Sequence, residues 1–429
     1  MAHFDKPAVF ARAADILRDN DRGAYTIPTK GLYPFQWNWD SCLTALGLRH
    51  FDEARAWLEI ETLMAHQWPD GMVPHIVFHV PDDGYFPGPD VWRTGRPVPT
   101  SGITQPPVLG FVLRRLFEEA NDRVLAEQKA RALLAKVDAW HRWFYAMRDP
   151  SSEGLVAIIH PWESGRDNSV DWDAALAAVS ADGVEPYVRR DTGHVNASQR
   201  PHKAEYDRYI KLVQIFRDLA WDNARLHDAS PFCVVDPGFN AILIRSDEDL
   251  ADLAAMLGDA VVEAATRARL ALSRTALDKL WSEAHGQYVA FDRVAGMPVD
   301  SASVGGVLPL FAGGETSRMQ ALARRIRNWT LGARFGVPSH DPADPRFESK
   351  RYWRGPVWLI VNYLLADGLR RAGLEEDASL VNASSLALIS KGGFAEYYDP
   401  LDGEGLGGGT FTWTAAMVAE LVTTSPLGS

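Results

Sequence analysis

Helical periodicity runs through most of the 429 residues and constrains the fold more than any other feature of the sequence. Apolar side chains recur every three or four positions in about a dozen stretches, the first near 7–19. Short turns join the stretches at 40–49 and 52–66, and those at 106–120 and 124–147. Because a short turn makes consecutive helices antiparallel neighbours, the chain is predicted to form helical hairpins.

Further helical stretches continue this pattern to the C-terminus. The predicted pairs are 203–227 with 236–257, 260–283 with 302–312, 316–330 with 355–372, and 374–391 with 411–424. Six such hairpins in a ring close a toroid. We therefore predict an all-α fold, the (α/α)6 barrel, that takes up residues 1–429 as a single domain.

The remaining connections are long and rich in Gly, Pro and aromatic residues. They lie at 67–105, 150–202, 331–354 and 392–411. Long irregular loops in a compact domain usually carry function, so we expect these four to form the active-site face. Within the first, Met72–Phe78 alternates as a strand does, which predicts a short hairpin in that loop.

Charge and cysteine content exclude several classes of protein. With 56 Asp and Glu against 44 Lys and Arg, the net charge is −12 and no basic block occurs, so nucleic acid and anionic membranes are not expected partners. Only Cys42 and Cys233 are present, which excludes a disulfide framework and a Cys-based zinc site. Charges at Asp5, Lys6 and Arg12 argue against a secretory signal, and no 18-residue apolar stretch occurs. We expect a cytoplasmic protein, and a homo-oligomer is left open.

Aromatic, acidic and amide residues gather on the long loops and at helix starts. The chain has 15 Trp, 12 Tyr and 18 Phe. The clusters are at 33–40, at 75–89 with 101–107, at 161–169 with 198–201, and at 348–358 with 394–398. Flat aromatic faces cover the apolar side of a pyranose, while carboxylates and amides bind its hydroxyls. The pattern therefore indicates a small carbohydrate ligand.

Residue types alone do not select the reaction. Hydrolysis of a glycosidic bond needs two carboxyl groups with different roles, and several pairs are available. Sugar epimerases need paired histidines, and a silent sugar-binding protein needs neither. His75 and His79 lie in an extended pattern, where they would stand ~13 Å apart, too far to share a metal. We expect no metal and no cofactor.

Nine motifs in order carry a specific resemblance. They are FQWNWDS, GMVPHIVF, GYFPGP, SGITQPP, WESGRDNS, SQRP, EYDRY, YWRGPVW and GFAEYY. From about Tyr33 to Trp413 the chain resembles the bacterial mannosylglycerate and glucosylglycerate hydrolases of glycoside hydrolase family 63. The resemblance implies an (α/α)6 barrel, as the helical pattern does independently, and inverting hydrolysis of an α-glycoside.

The resemblance assigns the two catalytic carboxyl groups. Asp167 takes the general-acid position and Glu396 the general-base position, ~6.5–9.5 Å apart to leave room for a water. An acid with an ordinary pKa of roughly 3.9 is ionised at neutral pH, so the pKa of Asp167 must be raised, for which burial beside Trp162 and Trp172 is suited. Arg166 opposes that shift unless its side chain points elsewhere. Alternatively, Asp167 could be a structural aspartate in a loop or at a helix cap, and Glu396 a structural glutamate paired with an arginine such as Arg354.

The same resemblance implies the substrate contacts. Asp40 would bind sugar hydroxyls, although an aspartate before an apolar run is also a common N-cap. The residues implied to wall the sugar subsite are Trp37, Trp39, Tyr352, Trp353 and Trp358. Arg200 would bind the carboxylate of the aglycone rather than act as a solvated surface arginine. The residues implied to help it are Tyr33, Tyr85, Gln105 and Tyr206.

Two departures from the family pattern concern the aglycone. Phe411 stands two residues before Trp413, where the glucosylglycerate group has a substrate-binding glutamine, and the stretch between Pro89 and Ser101 is short. The expected function is hydrolysis of glucosylglycerate or mannosylglycerate to sugar and glycerate. The alternatives are an α-glucosidase or trehalase-like hydrolase on a neutral sugar, an (α/α)6 sugar epimerase or isomerase, and a silent sugar-binding protein.

Overall fold

The computed structural model describes residues 5–193 and 195–424. The ends of the predicted domain, 1–4 and 425–429, lie outside the described residues. The helices are α1 Lys6–Asp19, α2 Asn38–Leu48, α3 Glu53–Met64, α4 Pro89–Trp92, α5 Leu109–Glu118, α6 Arg123–Arg148, α7 Asp173–Ala177, α8 Lys203–Asp218, α9 Asn223–Ala229, α10 Pro237–Leu257, α11 Ala260–Leu277, α12 Pro309–Ala312, α13 Thr316–Ala333, α14 Leu359–Arg371, α15 Glu375–Gly392 and α16 Thr412–Thr424.

Six of these helices form a closed inner ring. In order around the ring, α2, α5, α10, α12, α14 and α16 each pack against the next, and α16 packs against α2. An outer helix covers each of them, namely α3, α6, α11, α13, α15 and α1 in the same order. The predicted (α/α)6 barrel is thus confirmed.

The predicted hairpins at 40–66 and 106–147 are confirmed, but the pairing of the later helices was wrong. The structure pairs α10 with α11, α14 with α15, and α16 with α1. Gly258, with a φ of 75°, ends α10 in the left-handed region, and Asp259 caps α11 by accepting from the amide of Val262, so only two residues separate these helices. The predicted stretch 203–227 divides into α8 and α9.

Side-chain caps and proline fix several helix starts. Asp52, Asp122 and Asp236 precede α3, α6 and α10, and each accepts a hydrogen bond from a backbone amide of the first turn. Pro237 stands at the first position of α10, where the missing amide hydrogen costs nothing. These local signals are why the periodic stretches begin where they do.

Each connection from an outer helix to the next inner helix is long, and all of them lie on one face. Besides the four predicted loops, the segments 20–37 and 278–308 belong to this face. Its short strands are β1 Gln36–Trp37, β2 Ile76–Val77, β3 Val234–Val235, β4 Trp281–Ser282, β5 Gln287–Tyr288, β6 Phe291–Asp292, β7 Met297–Pro298, β8 Tyr397–Tyr398 and β9 Gly405–Leu406. β2 pairs antiparallel with β1, which confirms the strand predicted in Met72–Phe78 and fixes the entry to α2.

Ion pairs close the opposite end of the barrel. Arg49 at the end of α2 contacts Glu420 of α16 at 2.6 Å, and Arg245 of α10 contacts Asp367 of α14 at 2.7 Å. Because each long connection leads into the start of an inner helix, the N-termini of the inner helices lie at the loop face. Over the described ranges, no helix has the length and apolar character that spanning a membrane requires.

Candidate active site

A pocket opens at the centre of the loop face. Most of the residues singled out in the sequence line it, although they come from distant parts of the chain. These are Tyr33, Trp37, Trp39, Asp40, Tyr85, Gln105, Asp167, Arg200, Tyr206, Tyr352 and Glu396. The barrel brings them together because the loops that carry them converge at the N-termini of the inner helices.

Asp167 lies in a tight loop that is held on both sides. The hydroxyl of Tyr209 donates to the Asp167 carbonyl at 2.8 Å, and the amide of Trp353 donates to Oδ1 of Asn168 at 2.9 Å. Gly165 adopts a φ of 67° and approaches the ring of Trp39 too closely for any side chain. These contacts of the loop backbone hold Asp167 in position.

Arg166 points away from Asp167. Its Nη1 donates to Asp171 at 2.8 Å and its Nη2 to Asp236 at 2.8 Å, within the barrel. The cation that would lower the pKa of its neighbour is thus neutralised elsewhere. Burial raises the pKa of Asp167 to about 7, aided by the charge of Glu396 and opposed by Arg200.

Glu396 is buried at the end of the loop before β8, and several donors surround it. Its Oε1 accepts from the hydroxyls of Tyr33 at 3.0 Å and Tyr352 at 3.5 Å, and Oε2 accepts from the amide of Gly408 at 3.2 Å. Nη1 of Arg200 lies 3.6 Å from Oε1. Burial raises the pKa of Glu396, and these four partners counteract it because each stabilises the ionised form. Arg354 instead contacts Glu348 and Asp173, so the arginine that pairs with Glu396 is Arg200.

Asp40 lies in the first turn of α2 and faces the pocket. The N-cap of that helix is Trp37, which makes no side-chain capping bond, so the alternative N-cap role of Asp40 does not occur. Instead, the amide of Trp39 donates to Oε1 of Gln105 at 3.2 Å. Burial raises the pKa of Asp40 well above its ordinary value, and the charges of Glu396 and Asp167 add to this shift.

Arg200 is 5% exposed and connects several parts of the pocket wall. Nη2 donates to the Tyr33 hydroxyl at 2.9 Å, and Nε donates to Asp191 at 3.3 Å. Its guanidinium lies 4.0 Å from the ring centroid of Tyr352. It is therefore not a solvated surface arginine.

Trp353 and Trp358 lie behind the pocket instead of lining it. Their rings stack at 3.9 Å and 3°, and the indole of Trp358 donates to the carbonyl of Tyr352 at 3.2 Å. Tyr352 has a φ of 41°, a conformation that is strained for a residue with a side chain. This turn directs the Tyr352 ring into the pocket and Trp353 into the barrel, so the prediction that both tryptophans wall the subsite was wrong in geometry.

Further lining residues were not among the predicted catalytic and substrate-binding residues, although the sequence analysis placed Trp162 beside Asp167 and Phe411 near the aglycone. They include His75, Trp162, Asp191, Phe411 and Trp413. The sequence analysis placed His75 in a loop cluster and excluded it as a metal ligand with His79, whose Nε2 contacts Oε1 of Gln36 at 2.8 Å. Asp191 lies in a segment with no motif, so no sequence signal could have found it. Between 5 and 424, apart from residue 194, no group of three or more His, Cys, Asp or Glu side chains is arranged to hold a metal ion.

Comparison with known proteins gives extensive matches. The family profile described as the mannosylglycerate hydrolase MGH1-like glycoside hydrolase domain matches residues 33–414. Mannosylglycerate hydrolase MGH1 of Selaginella moellendorffii is 52% identical over 404 residues, which cover 94% of this chain and 83% of that protein. Glucosylglycerate hydrolase of Mycolicibacterium hassiacum is 35% identical over 443 residues, covering 97% and 98%.

The fold closely matches that of a solved structure. The glycoside hydrolase family 63 mannosylglycerate hydrolase of Thermus thermophilus, solved with Tris and D-glycerate, superposes with a TM-score of 0.94 at 47% identity, covering 97% of this chain and all of that one. The profile match and the two alignments each cover most of this chain. The chain therefore belongs to the MGH1-like glycoside hydrolases of glycoside hydrolase family 63.

Proposed function

We propose that this glycoside hydrolase cleaves the α-glycosidic bond between a hexose and glycerate with inversion, and that mannosylglycerate is its preferred substrate. One observation carries the proposal. A single pocket holds a carboxyl group whose pKa is raised to about 7, Asp167, a carboxylate surrounded by donors, Glu396, and a buried guanidinium, Arg200.

The two carboxyl groups divide the chemistry. Asp167, protonated near neutral pH, donates its proton to the glycosidic oxygen as the bond to the anomeric carbon breaks. Glu396 accepts a proton from a water that attacks that carbon from the opposite face. The sugar leaves with its anomeric configuration inverted, and the glycerate leaves as the alcohol.

The other lining residues suit a sugar acid. Asp40, Trp37 and Trp39 stand at the start of α2, where they bind the hexose through hydroxyl contacts and ring faces. Arg200 binds the glycerate carboxylate, with Tyr33, Tyr85, Gln105 and Tyr206 around it. We assign Trp353 and Trp358 a supporting role behind Tyr352.

Phe411 favours mannosylglycerate over glucosylglycerate. It lines the pocket where the glucosylglycerate group carries a glutamine that helps bind substrate. The greater identity to the Selaginella mannosylglycerate hydrolase, 52%, than to the Mycolicibacterium glucosylglycerate hydrolase, 35%, supports the same preference.

Proton NMR of the reaction tests the proposal. Mannosylglycerate, glucosylglycerate, mannosylglycerol and trehalose are each mixed with the protein, and we expect release of β-mannose and glycerate first and fastest from mannosylglycerate. Equal turnover of trehalose or mannosylglycerol would favour a hydrolase of neutral sugars. A changed sugar without free glycerate would indicate an epimerase, and an unchanged substrate a binding protein.

The wider organisation is also part of the proposal. We infer that residues 5–424 act as one catalytic domain, because a contiguous cluster of buried apolar residues runs through both rings. Cys42 and Cys233 are both free and buried, as suits the reducing cytoplasm in which we place the enzyme. Cell fractionation tests this compartment, and light scattering tests the oligomeric state.

A further inference from the structure

Arg200 is shared between the aglycone site and the general base. Its Nη1 lies 3.6 Å from Oε1 of Glu396, is buried, and has no hydrogen-bond partner in the part of the chain that the structure describes. On its other edge, Nε donates to the Asp191 carboxylate. One guanidinium thus lies between two carboxylates even before a substrate arrives.

Tyr33 makes a second connection between the same two sites. Its hydroxyl accepts from Nη2 of Arg200 at 2.9 Å and donates to Oε1 of Glu396 at 3.0 Å. Any ligand that moves the guanidinium or draws on its donors therefore changes the surroundings of the base. No rearrangement of the fold is needed, because the groups are already in contact.

We propose, on the basis of the function proposed above, that a carboxylate bound at Arg200 acts directly on Glu396, so that occupation of the aglycone site and proton binding by the general base are linked. A third carboxylate at this guanidinium weakens the attraction that keeps Glu396 ionised and adds a repulsion of its own. Binding of the anion must then favour uptake of a proton by the base.

The charged and titratable groups around Glu396 agree with this linkage. They are Arg200, Tyr33, Tyr352, Tyr397, Asp40 and Asp167. Arg200 is the cation that faces Glu396 in this set, while burial keeps the tyrosines protonated by raising the pKa of each. If a bound anion weakens the attraction of Arg200 for the Glu396 carboxylate, no other cation in this set can compensate.

The linkage makes the charge of the aglycone a determinant of rate as well as of affinity. A base of higher pKa accepts the proton of the attacking water more readily. An acidic aglycone thus strengthens the base, and a neutral one such as glycerol does not. Arg200→Ala removes the attraction altogether, so it should raise the pKa of Glu396 with every substrate and abolish the difference that the charge of the aglycone makes.

Calorimetric titration of the whole protein with D-glycerate tests this inference. Titrations between pH 5 and 8 in pairs of buffers with different ionisation enthalpies report the protons bound with the ligand. We expect wild-type protein to take up a fraction of a proton per glycerate, and glycerol to produce no such uptake. Arg200 also lowers the pKa of Asp167, so that residue could take up a proton as well. The uptake by Glu396 is therefore measured in Asp167→Asn, where it should persist, and in Asp167→Asn/Glu396→Gln, where it should vanish.

Arg190→Ala is the matched control, because it removes an exposed arginine from the same pocket wall without a contact to Glu396, and its uptake should equal that of wild type. Glycerate binding to Asp167→Asn without proton uptake, or uptake that persists in Asp167→Asn/Glu396→Gln, would overturn the linkage alone. An absence of glycerate binding to wild-type protein would instead contradict the aglycone site of the proposed function, and the linkage with it.

Discussion

At the scale of single residues, two carboxyl groups in one pocket differ because their neighbours differ. Asp167 is positioned through its backbone, so burial dominates its pKa. Glu396 receives hydrogen bonds from Tyr33, Tyr352 and the amide of Gly408, and it faces Arg200. The contrast is that required of an acid that starts protonated and a base that starts ionised.

The pKa of Asp167 predicts the alkaline side of the pH profile. A general acid must be protonated, so kcat/KM should fall about tenfold per pH unit above about pH 7, where the pKa of Asp167 lies. Initial rates on mannosylglycerate from pH 5 to 9 measure this. A profile that stays level to pH 9 would contradict the assignment of the acid.

Leaving-group dependence separates the acid from the base. Asp167→Asn and Glu396→Gln should each lower kcat on mannosylglycerate by about 10²–10⁴-fold or more. An aryl mannoside with a strongly acidic phenol needs no proton on its leaving oxygen, so it should recover most of the rate in Asp167→Asn and little in Glu396→Gln. Equal recovery in both variants would show that the roles are misassigned.

Asp167 should also destabilise the folded protein at high pH. Its pKa is higher in the folded than in the unfolded chain, so the native state binds the extra proton between about pH 4 and 7 and loses stability as the pH rises through that range. Asp167→Asn removes this loss. Its Tm should match that of wild type near pH 4 and exceed it by about 2–5 °C at pH 8, measured by calorimetry.

At the scale of elements, a short loop determines where the acid stands. The loop 165–169 packs against Trp39 of α2, is tied to Trp353 through Asn168, and carries the Asp167 carbonyl bonded to Tyr209 of α8. Two helices, α2 and α8, and the loop that carries Trp353 therefore fix the position of the Asp167 side chain together. A small displacement of this loop should cost activity more than stability.

Gly165→Ala tests the loop. A methyl group there would lie 2.7 Å from Cζ2 of Trp39, so the ring or the loop must shift, and kcat should fall at least tenfold. Gly183→Ala is the matched control, with a φ of 70° but only Nζ of Lys211 nearby, at 3.8 Å. Both should lose about 1–2 kcal/mol from the left-handed backbone. Equal activity in the two variants would contradict the positioning role of the loop.

At the scale of the whole molecule, the pocket and the ion pairs that join the inner helices lie at opposite ends of the barrel. The loop face carries the pocket, and the far end carries ion pairs between the inner helices. Glu420 is fully buried there, where its carboxylate accepts from Arg49, His50 and Tyr363. Stability at that end can therefore change without a change in catalysis.

Glu420→Gln tests this separation. It removes the buried one of the two carboxylates that pair with Arg49, the other being Glu119, and should cost up to about 3–5 kcal/mol of unfolding free energy with kcat unchanged. The pKa of Glu420 is lowered, so the loss should appear at neutral pH and shrink as the pH falls below its ordinary range. Glu127→Gln, which removes a half-exposed i,i+4 pair with Arg131, should change stability by less than about 0.5 kcal/mol. Urea unfolding at pH 3 and 7 compares the two, and a loss of kcat in Glu420→Gln would contradict the separation.

Local patterns in the sequence determined the elements and much of the site. Helical periodicity depends on neighbours three and four positions apart, so the helices, the strand-like segment near Met72 and the long loops could all be predicted. The ordered motifs identified Asp167, Glu396 and Arg200, which the structure brings into one pocket.

Tertiary structure alone decided how those residues face one another. Asp167 and Glu396 are more than two hundred positions apart, and no local pattern encodes the direction of Arg166 away from the acid, the placement of Trp353 and Trp358 behind Tyr352, or the contact of Arg200 with the base. The pairing of the later helices was likewise decided by packing. These features depend on which elements the closed rings set side by side, because burial and charge act through space while periodicity acts along the chain.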